Sequence, residues 1–142
     1  MSIEQLVYVS TSTVPLTTPL HVADIMEVSS RNNSELGITG ALTYSGDQFI
    51  QILEAQTEAL DWLMDRLHHD PRHDDINVLD RMTIRERAFP EWSMLFPTQT
   101  PATRTIVAKL VADRRRHAPA YRQALLTMVR EFRRSAGGYA PR

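Results

Sequence analysis

The sequence predicts an α+β domain whose elements run β-α-β-β-α-β, followed by a further strand and two helices. Two observations carry this. Apolar, β-branched runs alternate with segments whose apolar residues recur at helical spacing. The two middle runs are separated by Gly46-Asp47, a pair that supplies a turn. That order is the split-βαβ, ferredoxin-like pattern.

Each element has its own signal. "IEQLVYVS" (3–10) is a first strand and "TSTVPLT" a turn. The first helix starts with Thr18 as N-cap and Pro19 at the first helical position, where a missing N–H costs nothing. Leu20, Ala23, Met26 and Val28 roughly follow helical spacing, and Ile25 widens the stripe. "ELGITGALTYS" (35–45) is a second strand entered through Gly37, and Gln48–Ala55 a third. Thr57 is expected to cap a second helix whose stripe is Leu60, Leu63, Met64 and Leu67, with Pro71 ending it. "INVLDRMTIRE" (76–86) makes a fourth strand and "WSMLF" (92–96) a fifth. Beyond Pro97 two helices are expected at about 101–116 and 118–134. The last carries Tyr121, Leu125, Met128 and Phe132 at i, i+4, i+7 and i+11, opposite Arg122, Arg130, Arg133 and Arg134. Such a stripe must be buried, against the free face of the sheet or a second subunit.

A chain of 142 residues suits one domain with a real core. The absence of cysteine excludes disulfides, thiolate metal sites and a cysteine nucleophile. "MSIEQLVYVS" lacks a basic region followed by an apolar core, and no apolar run approaches the roughly 20 residues that span a bilayer, so the expectation is a cytoplasmic protein without a membrane segment. The net charge of −1 hides an asymmetry. From Arg104 to Arg142 there are ten Lys/Arg against Asp113 and Glu131, while the remainder has six against fifteen Asp/Glu. A solvated basic helix face complementing an acidic body explains this without nucleic acid.

Gln51, within "SGDQFIQILEA", poses a chemical question. A primary amide buried without partners costs roughly 1–3 kcal/mol. Alternation puts Leu6, Tyr8 and Ser10 on one face of the first strand, and Phe49, Gln51 and Leu53 on one face of the third. These two strands are expected to lie side by side, and parallel, in the middle of the sheet. Tyr8 and Gln51 then face each other, and the tyrosine hydroxyl is the partner the amide needs. His68, His69 and His73 suggest no metal centre. Pro71 interrupts the i, i+4 pair, and no carboxylates complete a ligand set.

"YVS", "SSRNNSELGITGALTYS", "FIQILE", "LHHDPRH" and "RAFPEWSM" resemble, in order and spacing, the BLUF family of blue-light receptors that use FAD. The resemblance covers about Ile3 to Met94. It implies a flavin-binding domain at 1–97. The amphipathic stripe of the last helix and its position after Trp92 and Met94 add the expectation that 98–142 is a helical extension of the same globular unit, its two helices covering the sheet face away from the flavin, with the stripe below Trp92 and Met94. The resemblance also implies that Tyr8 donates an electron and a proton to the excited flavin and that Gln51 bridges Tyr8 to flavin N5 and the C4 carbonyl. Asn33, with Asn32 beside it, meets the C4 carbonyl and N3 edge from the end of the first helix. Arg66 and Asp70 lie near the pyrimidine edge, Arg72 and His73 near the ribityl and phosphate end. Ile25 and Phe49 line the apolar slot around the ring. Trp92 and Met94, the family's "WxM", rearrange with the signal.

The chain departs from the family's "LEG" with Leu53-Glu54-Ala55, where alanine is strained if the position needs φ > 0, and it has Thr43 where an aliphatic residue is usual. The expected product is a photocycle and not an enzymatic turnover. With no output enzyme in this chain, the signal leaves through a downstream protein or a homo-oligomer interface, dimer or larger. The alternative class is a ferredoxin-like binding module for RNA or protein. An RNA module wants exposed aromatics among basic residues on the central strands, and "FIQILEA" is not basic. An acylphosphatase-like hydrolase wants a phosphate-cradling loop with an arginine, and "STSTVPLTT" has none.

Overall fold

The computed structural model describes residues 2–13, 31, 33–71, 73–90, 100–112 and 119–134. In chain order these give β1 (Ile3–Ser12), the end of a helix α1 (31 and 33–36), β2 (Thr39–Ser45), β3 (Gln48–Gln56), α2 (Thr57–His68), β4 (His73–Ile84), α3 (Pro101–Ala112) and α4 (Pro119–Arg134). The sheet order is β2-β3-β1-β4, the arrangement expected of a ferredoxin-like α+β fold. The expected fifth strand at 92–96 lies outside the described residues.

The central pair β1 and β3 is antiparallel, not parallel as expected from sequence. The connectivity explains it. β3 follows β2 through a tight hairpin and is antiparallel to it. A helix crossover returns β2 in the direction of β1, so β3, seated between them, runs against both.

α1 continues past Asn33 and ends at Gly37, so the segment from Glu35 begins as helix and not as strand. The Gly37 N–H donates to the Ser34 carbonyl at 3.4 Å and the Ile38 N–H to the Asn33 carbonyl at 2.9 Å. This is a Schellman closure, and it needs the left-handed Gly37, at φ 67°. Gly40 has a different reason. It faces Leu53 across the β2–β3 pair, and a Cβ there would lie 1.9 Å from the Ile52 carbonyl oxygen. Ala55 raises no strain, because it is a buried residue of β3 and Asp75, at φ 52°, is the one non-glycine with positive φ among the described residues.

Thr57 does not cap α2. Gln56 occupies the N-cap without a side-chain bond, while the Thr57 hydroxyl and Arg81 hold the Glu4 carboxylate. Arg81 donates to Glu4 at 2.9 Å and to Asp61 at 2.7 Å, tying β4 to β1 and α2. These contacts lower the Glu4 pKa, the Arg81 hydrogen bond first and Thr57 second. β4 begins three residues earlier than its apolar pattern suggests. His73 and Asp74 pair with Ser12 and Thr11, and register shifts accommodate Asp75 in between. At α3, Thr100 caps the helix and Pro101 opens it. The Thr103 N–H donates to Thr100 Oγ1 at 3.1 Å and the Thr100 N–H to Thr103 Oγ1 at 2.8 Å.

Two cores flank the sheet. One face packs Leu6, Tyr8, Leu42, Phe49 and Leu53 against Leu60 and Met64 of α2. The other packs Val7, Ala41, Ile50 and Ile52 against Val107 and Leu110 of α3, Leu125, Met128 and Phe132 of α4, and Phe89. Leu125, Met128 and Phe132 of the expected α4 stripe therefore lie on the sheet face opposite Tyr8, as expected, while the side chain of Tyr121 lies outside what is described. Arg130 and Arg134 are exposed on the outer side of α4.

Candidate functional site

Alternation along β1 and β3 builds the site. Leu6 pairs with Leu53, Tyr8 with Gln51 and Ser10 with Phe49, in successive rungs of one sheet face. Directly opposed residues of an antiparallel pair bring their side chains within contact. The Tyr8 hydroxyl donates to Gln51 Oε1. Tyr8 is 1% exposed and Gln51 5%, so the bond is sealed from water. Burial pushes the Tyr8 phenol well above its ordinary range, and the negative charge of Asp70 adds to this. Tyr8 is therefore a neutral phenol throughout the physiological range, and its proton already points at an amide.

The remaining residues picked out from sequence distribute as follows. Phe49 is fully buried in the same cluster as Tyr8. Asn33 is a buried carboxamide in the last turn of α1. Asp70 follows α2, half-buried, within electrostatic reach of Tyr8. Arg66 is exposed on α2, with its guanidinium 4.8 Å from the centre of the Trp62 ring. His73 opens β4 opposite Ser12. Ile25, Asn32, Arg72, Trp92 and Met94 lie outside the described residues. Among the described residues no cluster of three or more His, Asp or Glu could hold a metal ion. Tyr8 and Phe49 are buried under α2, so neither is available to stack a nucleotide base.

Sequence reasoning passed over Glu54. It is a carboxylate with no solvent exposure, on the sheet face away from Gln51. Its oxygens accept from the Phe89 N–H at 2.8 Å, the Ala88 N–H at 3.0 Å and Gln5 Nε2 at 2.8 Å. The signal was present in "FIQILEA": an acidic residue sharing strand parity with Ile50 and Ile52 needs a ready-made set of donors.

Three comparisons bear on this geometry. The family model described as BLUF, sensors of blue-light using FAD, matches residues 3–95. The photoactivated adenylate cyclase subunit beta of Euglena longa is 37% identical over 95 residues, and the subunit alpha of Euglena gracilis 32% over 114. These matches cover 66% and 76% of this chain but only 11% of each relative, so the chain spans about a tenth of their length. Among solved structures, the dark state of BlrB, a BLUF protein, superposes with a TM-score of 0.73 at 31% identity, covering 94% of this chain and 97% of that one. The photo-activated state of BlsA superposes with a TM-score of 0.76 over 99% of both chains at 24% identity, a likeness of fold. With the family model spanning well over half of the residues and the Tyr8–Gln51 rung at its centre, the chain belongs to the BLUF family of flavin-using blue-light sensors.

Proposed function

We propose that this chain is an FAD-binding light switch in which Tyr8 and Gln51 are the moving parts, and that it signals through a partner and not by catalysing a reaction. The observation that carries the reading is the buried hydrogen bond from the Tyr8 hydroxyl to Gln51 Oε1. The donor set also fits a flavin edge. An isoalloxazine alternates acceptors and donors at N5, C4=O, N3–H and C2=O, and the carboxamides of Gln51 and Asn33 can meet either kind. Gln51 Oε1 accepts from Tyr8, and the other arm of the amide is of donor type, the kind that a ring acceptor such as N5 or C4=O requires.

A bound FAD supplies blue-light absorption and, while excited, the capacity to take up an electron and a proton. Tyr8 would be the residue that supplies both and takes both back, and Gln51 stands at its hydroxyl proton. The Gln51 amide would be the group that rotates or changes tautomer in between. An amide with two hydrogen-bond patterns of similar energy is the bistable element such a switch requires. By the family resemblance, Asn33, with Asn32, would hold the C4 carbonyl and N3 edge, Asp70 and Arg66 would serve the pyrimidine edge, Arg72 and His73 the ribityl and phosphate end, and Ile25 and Phe49 the apolar slot around the ring.

Residues 1–97 form the light-sensing part and 98–142 an extension that relays its state. Trp92 and Met94 begin the relay, and a downstream protein or a second copy of the chain, in the cytoplasm, receives it. The test is an absorption spectrum before and after blue light, with the released chromophore identified by mass. Reversible displacement of the flavin bands to the red, with FAD released on denaturation, is the expected result. A chain that takes up no flavin after reconstitution contradicts the reading, and FMN in place of FAD contradicts its cofactor assignment.

A further inference from the structure

We propose that Glu54 is a positioning residue that couples the Gln51 switch to the two C-terminal helices through the backbone of Ala88 and Phe89. The inference rests on the light-switch reading above and adds a route across the sheet.

Gln51 and Glu54 lie three residues apart on β3, about 10 Å at a strand's rise of ~3.3 Å per residue. Strand alternation puts them on opposite faces. Gln51 faces the α2 side, with Tyr8. Glu54 faces the side covered by α3 and α4. There its buried carboxylate takes the N–H groups of Phe89, at 2.8 Å, and Ala88, at 3.0 Å, with Gln5 Nε2 at 2.8 Å. The Glu54 backbone carbonyl also accepts from Arg87 Nη1 at 3.0 Å, and the same nitrogen reaches Thr39 Oγ1 at 2.9 Å. One residue of the switch strand thus grips three consecutive residues through both its side chain and its backbone.

The gripped segment is not idle. Phe89 is fully buried and belongs to the cluster that holds Val107, Leu110, Leu125, Met128 and Phe132. A shift of β3 is therefore passed by charge-assisted bonds to a ring seated in the helical layer, and a close-packed interior transmits such a strain. In sequence, Trp92 and Met94 follow Phe89 by three and five residues, so the clamp holds the residues that immediately precede them. The chemistry is specific to a carboxylate, because all three partners of its oxygens are N–H donors. A glutamine of the same size turns its own N–H groups toward one of them.

The test compares wild type, Glu54→Gln and Glu54→Asp as flavin-loaded full chains. Two quantities are read: the light-induced red shift, and the light-minus-dark difference in backbone hydrogen exchange of residues 101–112 and 119–134. Wild type is expected to show both. Glu54→Gln is expected to keep the red shift and lose at least four-fifths of the exchange difference. Glu54→Asp keeps an acceptor-only group on a shorter arm, and is expected to keep the red shift with a partial exchange difference. It carries the test if the glutamine variant does not fold. Either variant retaining the full wild-type exchange difference overturns the coupling role, as does a wild type that red-shifts without any exchange difference in the two helices. A wild type with no red shift removes the switch itself, and the coupling with it.

Discussion

The Tyr8 phenol and the Gln51 amide satisfy each other inside a sheet rung that water does not reach. Ionising Tyr8 would place a charge there, next to that of Asp70, so its pKa is raised by burial and by that neighbour. The sign of the linkage follows. A raised folded-state value means that the neutral phenol stabilises the folded chain below the ordinary tyrosine value of about 10, and that this contribution is lost as the pH climbs above it. In an alkaline titration followed by phenolate absorbance, Tyr8 should resist ionisation until the chain unfolds. That late step should be missing in Tyr8→Phe. A phenolate step near pH 10 in the folded wild type that Tyr8→Phe lacks would contradict the buried rung. This pairing was legible in the sequence, because strand alternation alone puts Tyr8 and Gln51 on matching faces. The burial of Glu54 was legible in the same way, from its parity with Ile50 and Ile52, but its donors were not, because they include backbone N–H groups 34 and 35 residues away, in Ala88 and Phe89.

At the scale of elements, two glycines separate conformational strain from steric exclusion. Gly37 is left-handed with open space where a Cβ would go, so Gly37→Ala should cost only the backbone penalty, about 1 kcal/mol. Gly40 sits where a Cβ would collide with the Ile52 backbone, and Gly40→Ala must force β2 from β3, costing at least about 2–3 kcal/mol. Denaturant unfolding of the two variants checks the order, and equal losses would contradict the β2–β3 approach. The strands and helices themselves were largely visible as periodicities. Strand direction was not, since it depends on how a crossover and a hairpin combine and not on any local pattern. The start of β4 was also hidden. His73, Asp74 and Asp75 have poor strand propensity, and pairing with Ser12 and Thr11 through a bulge overrides it. Thr57 looked like a cap because the hydroxyl that would cap α2 is instead used by Glu4, a contact across 53 residues.

For the whole molecule, the helices after residue 100 complete the second core. Val107, Leu110, Leu125, Met128 and Phe132 are all buried against the sheet. Their burial contributes on the order of 8–15 kcal/mol before entropy, comparable with the stability of an entire domain. Truncation after Pro97 uncovers Val7, Ala41, Ile50 and Ile52, so the shortened chain should aggregate or associate through that face in size-exclusion chromatography. A soluble, monomeric fragment with the dark recovery rate of the full chain would show that the helices neither complete the core nor feel the switch. The existence of an amphipathic last helix was readable from Leu125, Met128 and Phe132. That it covers the sheet face away from Tyr8 was expected from this amphipathic pattern and from its position after Trp92 and Met94 in the sequence.

The central claim is that the Gln51 amide, held by Tyr8, is the element that light rearranges. The light-minus-dark absorption spectrum of Gln51→Leu, measured beside wild type, tests it most directly. Leucine fills much of the amide's volume but can neither accept the Tyr8 proton nor donate to a flavin. The expected result is a yellow protein with bound flavin and no red shift under illumination that shifts the wild type fully. A wild-type shift in Gln51→Leu would contradict the account.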